Sequence, residues 1–340
     1  MIGPDGLVHE PVGDVEAGQD EHRDGVSYNG FLSHLVLGPP RRSNPAMCSP
    51  SQSSVDVIIP NWNGERCIAA CLASLTAQTH PNLRVMVVDN GSTDRSLQIV
   101  RDQFPQVSVI EVGVNGGFAA AVNRGIRATR GDYVALLNND AVARPEWLAK
   151  LAQALDADPA LGSCASRMLV MNKPWLVNVA GLAFSPSLRS CAATIGWGTL
   201  DSYEHHAPYL VAAASGGAVM YRRQALDEVG LFDEDYFMFS EETDWLYRFR
   251  QAGWEVWFTP EAEVVHLGGA SHGGKLYVEN LRGILRFMAK NRGPKEAARA
   301  RLLLLWSLRL RALVFRGDRG ESYREGVRFL ASGDVPSLLE

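Results

Sequence analysis

Several signatures of common nucleotide-using enzymes are missing from this chain of 340 residues. The turn after the first predicted strand reads Pro60-Asn61-Trp62-Asn63-Gly64 and lacks the G-x-G-x-x-G pattern of dinucleotide-binding domains. The glycine-rich stretch Asn115-Gly116-Gly117 does not complete that pattern either, and the P-loop signature is absent. Hydride transfer to a dinucleotide cofactor and P-loop phosphoryl transfer are therefore disfavoured.

Cysteine is scarce, and its arrangement does not predict a metal site. The chain has five cysteines, an odd number without zinc-like pairing. Cys67 and Cys71 lie one turn apart on a predicted helix, which suits core packing better than metal binding. A reducing cytosol is the expected compartment. No N-terminal stretch has the basic start and apolar core of a signal peptide, so secretion is not indicated.

Charge is unevenly distributed along the chain. The net charge of −5 argues against a general nucleic-acid-binding surface. Residues 1–54 carry seven acidic and three basic residues, whereas residues 282–316 carry ten basic residues and the single acid Glu296. The basic segment indicates an anionic partner, such as a membrane face.

Composition also divides the chain into three predicted regions. Residues 1–54 are rich in Gly, Pro, Asp and Ser without sustained periodicity, which predicts a disordered extension, and Met47 is an alternative start. The whole chain, with 46% hydrophobic content, is long enough to bury a real core, and residues 55–290 are the predicted catalytic domain. Residues 291–340 form a predicted C-terminal helical region.

The first half of the catalytic region alternates between strands and helices. Four apolar segments are predicted as strands: Val55–Ile59, Arg84–Val88, Val107–Val112 and Gly131–Leu137. Between them, apolar residues at helical spacing predict helices over residues 68–75, 97–100 and 119–128. This alternation predicts an α/β fold with a mostly parallel, Rossmann-like sheet, flanking helices and right-handed crossovers.

Polar clusters follow three of these strands, at residues 60–64, 89–94 and 138–140. In open α/β sheets, ligands bind outside the carboxyl ends of the strands. Asp140 therefore falls where a diphosphate or its metal would lie, and Asp89 can accept the N3–H of a uracil or thymine ring. The alternatives are that Asn138–Asp140 cap a helix opened by Pro145, and that Asp89 is a turn residue.

Beyond residue 150 the periodicity breaks. Residues 172–210 mix Gly, Pro, Trp and His and are predicted to be an acceptor-side insertion or loop. Gly216 and Gly217 follow, and residues this small would let the backbone approach a ligand. A tight packing turn is the alternative at these glycines.

An acidic cluster comes next. Ser240 can cap a helix whose first turn carries Glu241, Glu242 and Asp244, and Asp244 can pair with Arg248 one turn later. That is a purely structural interpretation. The functional interpretation is that one of the acids is a general base beside an aromatic wall. Strands are then predicted at residues 255–258 and 263–266, which places His266 at a strand end, where a histidine alone is more often structural than a ligand.

The motifs taken together resemble the inverting family-2 glycosyltransferases of the GT-A fold, and within them the bacterial rhamnosyltransferase-like branch. The resemblance runs from about residue 55 to about residue 290. Its motifs are Pro60–Gly64, Asp89–Asp94, Asn115–Phe118, Asn138–Asp140, Gly216-Gly217, Glu241–Trp245 and His266–Gly269. Each is modest alone, but their order is specific.

The resemblance implies metal-dependent transfer of a sugar from a nucleoside diphosphate. Asp140 matches the last position of the family's Asp-x-Asp motif and would bind Mg²⁺ or Mn²⁺ with His266. Glu242 matches the catalytic base, with Glu241 beside it, and Asp89 would hold the nucleobase. Asn138 departs from the family, since many relatives have an aspartate there. The remaining donor-side expectations are Pro60, Asn61, Asn63, Asn115, Gly117, Asn123, Asn138 and Asn139, and the acceptor-side expectations are Gly216, Gly217, Asp244 and Trp245.

The resemblance also implies a role for the whole protein. The best single donor is dTDP-rhamnose, and the acceptor would be a glycan or a lipid-linked sugar in cell-envelope polysaccharide synthesis. Alternatives are a UDP-hexose transferase of the same fold, a nucleotide-sugar binding module without catalysis, and a nucleotidyltransferase. The last is disfavoured because the first loop contains no basic residue before Arg66.

The C-terminal region predicts a helix with two faces. Its apolar residues Leu303, Trp306, Leu310, Leu313 and Val314 share one face, with arginines mostly on the others. The apolar run is too short and too interrupted to span a bilayer, which needs about 20 residues. A helix on an anionic membrane surface is predicted, which would make the protein cytoplasmic or peripheral at the cytoplasmic face. A helix packed on the catalytic domain or on a partner subunit is the alternative.

Overall fold

The computed structural model describes residues 51–185, 187, 189–201, 206–267 and 277–332. The predicted extension therefore lies outside the described residues up to position 50. Residues 51–54 are described and lead directly into the first strand. There the backbone N–H of Ser54 donates to Asp132 at 2.8 Å.

One mixed sheet forms the centre of the protein. Its strands are β1 (Val55–Asn61), β2 (Leu83–Asp89), β3 (Ser108–Glu111), β4 (Tyr133–Leu137), β5 (Ala141–Ala143), β6 (Leu161–Val170), β7 (Lys173–Val179), β10 (Tyr209–Val211), β11 (Ala218–Arg222) and β12 (Glu255–His266). The main order is β10-β12-β6-β11-β4-β1-β2-β3, with β5 paired to β12 and β7 paired to β6. The strands β8 (Leu182–Phe184) and β9 (Ala192–Thr194) form a separate hairpin-like pair.

The first half of the sheet is parallel, as the sequence predicts. β1 pairs in parallel with β2 and β4, and β2 pairs in parallel with β3. Side chains on β1 and β4 are buried on both faces because helices cover the sheet on each side. The helices on one face are α1 (Ile68–Thr76), α2 (Ser96–Gln103) and α4 (Trp147–Ala157), and on the other α3 (Gly117–Ala128), α5 (Arg223–Val229) and α6 (Glu241–Gln251).

The region 172–210 corrects the prediction of an irregular loop. It contains β7, β8, β9 and β10, which are mostly short and therefore give little periodic signal. The two strands predicted near residues 255 and 263 are likewise one strand, β12, with a register shift between Thr259 and Glu263. Pro145 does not open a helix at its first position, since α4 begins at Trp147 with Glu146 as its N-cap.

Three further helices form a C-terminal cluster: α7 (Tyr277–Arg292), α8 (Pro294–Val314) and α9 (Gly317–Ala331). α7 shares a hydrophobic core with α8 and α9, and the predicted boundary at residue 290 falls in its last turn. α8 packs through Ala297, Ala300, Leu304 and Leu308. Within the described ranges, no helix is long and apolar enough to cross a membrane.

Candidate active site

The parallel strands bring the predicted polar clusters to one edge of the sheet. The Asn61 side chain lies at the centre of this edge. Its Nδ2 donates to Asp89 Oδ1 at 2.8 Å, and its Oδ1 accepts a hydrogen bond from Asn139 Nδ2 at 2.9 Å. The ends of β1, β2 and β4 are therefore joined by side-chain hydrogen bonds, and the residues on either side of Asn61 share one site.

Asp89 is buried, and both of its carboxylate oxygens accept hydrogen bonds from neighbouring residues. Only 2% of it is exposed. Its Oδ1 accepts from Asn61 and from Ser92 Oγ at 2.6 Å, and its Oδ2 accepts the backbone N–H of Ser92 at 2.9 Å. These contacts match the turn-residue interpretation. A nucleobase contact at Asp89 stays a prediction, and Oδ2, with its single backbone donor among the described residues, is the oxygen that could make it.

Hydrogen bonds join the loop after β1 to the loop after β2. Asn63 Oδ1 accepts the backbone N–H of Thr93 at 2.8 Å, and the Asn63 N–H donates to Ser92 Oγ at 2.9 Å. Gly64 has to be glycine, because a Cβ there would lie 2.3 Å from Asn61 Oδ1. Pro60 is half-buried within β1. This packing gives the donor-side loops a defined shape.

The start of α3 lies beside the loop before α6. Asn115 Oδ1 accepts from Asn90 Nδ2 at 2.9 Å and from the Gly117 N–H at 3.0 Å. Gly117 has a φ of +88°, and a Cβ there would lie 2.2 Å from the carbonyl oxygen of Phe237. The same carbonyl accepts the Phe118 N–H at 2.8 Å. Glycine is therefore required where these two segments approach.

Asn123 lies in a packing contact, which corrects its predicted donor-binding role. Its Nδ2 donates to the Phe232 carbonyl at 2.9 Å and to Glu234 at 2.8 Å. Its Oδ1 accepts the Phe232 N–H at 3.0 Å. The amide is thus used to tie α3 to the segment before α6.

Asp140 and His266 meet at the next position along the edge. β12 pairs with β5 so that His266 lies opposite Ala141. His266 Nε2 lies 3.1 Å from Asp140 Oδ1 and 3.5 Å from Asn138 Nδ2. On the other side of the ring, His266 Nδ1 lies 3.1 Å from Asn178 Oδ1. The structure thus brings the predicted metal ligands Asp140 and His266 together, and Asn178 contacts the other ring nitrogen of His266.

This pair fits a cation that is shared with a substrate. Two ligand atoms at right angles around Mg²⁺, each 2.0–2.1 Å from the ion, are roughly 3 Å apart, close to the spacing of Nε2 and Oδ1. No group of three or more His, Cys, Asp or Glu that could hold a metal exists among the described residues. Mg²⁺ commonly takes one or two protein ligands and completes its shell with water and substrate phosphates. Asp140 and His266 suit that arrangement.

Gly216 and Gly217 separate the metal pair from the acidic pair. The Gly217 carbonyl accepts the Asn138 N–H at 2.9 Å, and a Cβ on Gly217 would lie 3.2 Å from Asn138 Nδ2. A Cβ on Gly216 would lie 3.3 Å from the Phe118 ring and 3.8 Å from Glu242 Cβ. The two glycines therefore place Glu242 next to the same part of the sheet edge as Asn138.

Glu241, which is buried, and Glu242, which is half-buried, begin α6. Ser240 occupies the N-cap position with a φ of +70° and makes no side-chain capping hydrogen bond, so its predicted capping role is wrong. Glu241 Oε2 and Glu242 Oε2 are buried without a hydrogen-bond partner among the described residues. Two carboxyl oxygens are thus withdrawn from water at a helix N-terminus, where the helix dipole favours negative charge.

The two carboxyl groups differ in their proton affinity. Burial, and then the charge of Glu242, raise the pKa of Glu241 well above its usual value. Burial also raises the pKa of Glu242, but hydrogen bonds from its own backbone N–H and from Glu241 oppose that rise. The two carboxyl groups therefore titrate as a coupled pair, in which burial favours the uncharged form of each.

Asp244 and Trp245 lie in the interior, which corrects their predicted acceptor-side roles. Asp244 is fully buried, and its carboxylate accepts hydrogen bonds from Lys290 at 2.9 Å, Asn291 at 3.0 Å and Arg248 at 3.2 Å. The predicted pairing of Asp244 with Arg248 is thereby confirmed. The Trp245 indole N–H donates to the Gly230 carbonyl at 2.7 Å. Trp245 packs among Tyr221, Phe232 and Phe249.

Asn178 is the site residue that sequence reasoning missed. It is buried on β7, inside the region predicted to be irregular. A polar residue between Val177 and Val179 is the only local signal in the sequence, and it does not indicate a partner. The contact with His266 depends on tertiary structure.

Comparison with known proteins places these features in context. The family model described as "Glycosyl transferase family 2" matches residues 56–230. An N-acetylglucosaminyl-diphospho-decaprenol L-rhamnosyltransferase from Mycobacterium tuberculosis is 31% identical over 217 residues, covering 57% of this chain and 70% of that protein. An N-acetylglucosaminyltransferase from Sinorhizobium fredii is 30% identical over 256 residues, covering 70% of this chain and 59% of that protein.

Solved structures are similar over most of the chain. GalNAc-T7, solved with UDP, GalNAc and Mn²⁺, aligns with a TM-score of 0.57 at 16% identity, over 81% of this chain and 54% of that one. A mannosyltransferase from Pyrobaculum calidifontis, solved with GDP-Man and Mn²⁺, aligns with a TM-score of 0.54 at 18% identity, over 92% and 89%. At these identities the likeness concerns the fold.

Proposed function

The chain belongs to glycosyl transferase family 2 and has the GT-A fold, and from that premise we propose that it transfers a sugar from a nucleoside diphosphate to an acceptor hydroxyl with inversion. The observation that supports this most directly is that Gly217 contacts Asn138, which lies beside His266, while Gly216 approaches Glu242. Asp140 and His266 form one pair, and Glu241 and Glu242 form the other. A diphosphate-binding pair and a base are the two components that single displacement requires.

Glu242 is the proposed general base. Burial raises its pKa above the usual glutamate value, and hydrogen bonds from its own backbone N–H and from Glu241 oppose that rise. Its carboxylate would take the proton from the acceptor hydroxyl as that oxygen attacks the anomeric carbon. The attack and the departure of the diphosphate occur on opposite sides of that carbon, so the configuration inverts in one step.

Asp140 and His266 are the proposed ligands of Mg²⁺ or Mn²⁺. A bound divalent cation would offset the charge that builds on the leaving diphosphate. Asn138 contributes an amide where many relatives have a carboxylate, so the protein's own ligand set carries one negative charge less. The donor's phosphates are therefore expected to contribute a large share of the binding.

Removal of either ligand tests this assignment. We expect Asp140→Ala and His266→Ala each to abolish transfer while the circular dichroism spectrum is retained, and a chelator to do the same to the wild-type protein. Full activity of either variant in excess chelator would contradict the assignment.

The proposed donor is dTDP-rhamnose, and the alternative donor is a UDP-hexose. The Mycobacterium relative is named as a rhamnosyltransferase, and the Sinorhizobium relative as an N-acetylglucosaminyltransferase. Uracil and thymine present the same N3–H edge to Asp89. Discrimination must therefore come from room for the thymine methyl group and from contacts to the ribose, which offers a 2′-hydroxyl that deoxyribose lacks.

Calorimetry with dTDP and UDP, followed by donor hydrolysis across a panel of nucleotide sugars, tests the donor. We expect tighter binding of dTDP and hydrolysis of dTDP-rhamnose. Clearly tighter binding of UDP would favour a UDP-hexose. Binding without hydrolysis or transfer of any donor would support a binding module without catalysis.

The proposed acceptor is a glycan or lipid-linked sugar of cell-envelope polysaccharide synthesis, reached at an anionic membrane surface. The Mycobacterium relative is named for a diphospho-decaprenol acceptor. In the described structure, one face of α8 exposes six large apolar side chains: Leu302, Leu303, Trp306, Leu310, Leu313 and Val314. The opposite face of α8 is buried against α7 and α9.

Charge favours a lipid surface as the occupant of this face. Of the basic residues in the segment 282–316, Arg286 and Lys290 pair with acids outside it. The Arg309 guanidinium lies 5.4 Å from the centre of the Trp306 ring, beside the exposed face. Arginine beside apolar residues suits the boundary between anionic headgroups and acyl chains.

Cosedimentation with anionic liposomes tests the surface. We expect Trp306→Ser/Leu310→Ser to release the protein, and salt to weaken binding of the wild-type chain. Transfer to a soluble acceptor should be unchanged. Binding that is indifferent to both treatments, or a dimer in solution that the double variant dissociates, would overturn the membrane assignment.

A further inference from the structure

We propose that Asn178 is a positioning residue, which holds the His266 imidazole so that Nε2 offers its lone pair toward Asp140. The inference rests on the proposed metal site. It adds a residue that contacts neither metal nor substrate and acts through His266.

A β-bulge at Asn178 changes the direction of its side chain. β7 pairs with β6, with Met168 opposite Val179 and Leu169 opposite Val177. Two neighbouring residues of β6 are thus matched with residues two apart on β7, and Asn178 is the extra residue between them. Such a bulge occurs often next to active sites, because it changes the direction of a side chain without ending the strand.

The Asn178 amide contacts His266 although their strands, β7 and β12, do not pair with each other. His266 lies at the end of β12, and β6 separates β12 from β7 in the sheet. Asn178 Oδ1 nevertheless lies 3.1 Å from His266 Nδ1, and the Asn178 side chain is buried. Regular pairing alone would not bring the two side chains together.

The chemistry of the contact determines the tautomer. An amide oxygen can only accept a hydrogen bond, so Nδ1 must carry the hydrogen. In the neutral ring, Nε2 then keeps its lone pair. That lone pair and the Asp140 carboxylate converge with 3.1 Å between Nε2 and Oδ1, an arrangement that a cation would stabilise. Partners of this kind orient histidine ligands in metal sites and make them stronger donors.

Four variants test the inference: Asn178→Ala, Asn178→Asp, His266→Ala and Val179→Ala. Asp keeps an acceptor oxygen for Nδ1–H, whereas Ala removes it. Val179→Ala is the matched control, because it truncates the next side chain on β7, which packs in the hydrophobic core. Two readouts are independent of activity. One is affinity for Mn²⁺ alone, measured by the electron paramagnetic resonance signal of free ion. The other is the His266 tautomer in the metal-free protein, measured by ¹⁵N NMR and assigned with His266→Ala.

We expect Asn178→Ala to weaken Mn²⁺ binding about 10- to 100-fold, as is usual when such a partner is lost, and to populate both tautomers. Asn178→Asp and Val179→Ala should keep the wild-type tautomer, with Mn²⁺ affinity within about threefold. Wild-type affinity and tautomer in Asn178→Ala, with weak binding in His266→Ala, would overturn the role of Asn178 and leave the metal site standing. Wild-type affinity in His266→Ala would overturn the metal assignment, and this inference with it.

Discussion

The donor side and the base side of the site satisfy their buried carboxyl groups in different ways. On the donor side, Asp89 accepts hydrogen bonds at both oxygens from Asn61 and Ser92. On the base side, Glu241 and Glu242 each keep one buried oxygen without a partner in the described structure. On the donor side both carboxylate oxygens of Asp89 are hydrogen-bonded. On the base side, the buried oxygens without a partner make the charged form of each glutamate unfavourable.

The difference shows where stability and reactivity are located. A buried polar group with its hydrogen bonds intact contributes to stability, whereas one left unpaired costs about 1–3 kcal/mol. A base needs a raised pKa and a free oxygen to accept a proton near neutral pH. We therefore expect substitution of the proposed base Glu242 to change turnover, and loss of the Asn61 hydrogen bonds to change stability.

The largest effect is expected at Glu242. Glu242→Gln keeps the shape of the side chain but removes the proton acceptor, and should lower turnover about 10²–10⁴-fold with donor affinity little changed. Steady-state kinetics and calorimetry measure the two quantities. Glu241→Gln is the matched control and should be milder, because Glu242 is the residue that matches the family's catalytic base. The reverse ranking would assign the base to Glu241.

The next effect is expected at Asn61. Asn61→Ala removes the donors to Asp89 and Ser96 and the acceptor for Asn139. The free energy of unfolding should fall by about 1–3 kcal/mol for the buried groups left unpaired. Urea unfolding measures it, with Glu242→Gln as the comparison that should lose no stability. Unchanged stability of Asn61→Ala would remove the contrast between the two sides.

The smallest effect is the pH dependence of stability at Glu241. Its folded pKa lies above the usual value of 4.5, so its favourable contribution exists below that pH and is lost as pH rises toward the folded pKa. Gln does not titrate. The melting temperature of Glu241→Gln should therefore match the wild type near pH 4 and exceed it at pH 8.

Glu321 on α9 provides a control of opposite sign. Hydrogen bonds from Arg328 and Arg324 lower the pKa of this exposed carboxyl group. Glu321→Gln should therefore give no rise in melting temperature at pH 8. A melting temperature of Glu241→Gln that follows the wild type across the whole range would contradict the raised pKa of Glu241.

Much of the sheet could be predicted because its central strands β1 and β4 are buried on both faces. The continuous apolar runs of β1, β2 and β4 predict parallel strands, and the polar residues after them predict the site edge. The exposed face of α8 follows in the same way from helical spacing. By contrast, β8, β9 and β10 have three residues each, too few for a periodic signal.

The assignment of polar side chains needed the structure. Asn123, Asp244 and Trp245 have the residue types expected at a sugar-binding site, yet each is used within the fold. Ser240 has the usual identity of an N-cap but a left-handed backbone. A residue type states which bonds are possible, whereas the partner depends on what lies within 3 Å after folding.

The sequence by itself determined the family of folds, the edge of the sheet that carries the site, and the candidates Asp140, Glu242 and His266. These depend on local periodicity and on motif order, both of which are written along the chain. Tertiary structure alone decided that burial raises the pKa of Glu241, and that Asn178 faces His266. The physical reason is that both depend on burial and on contacts between residues brought together by packing, and a proton's position responds to those surroundings.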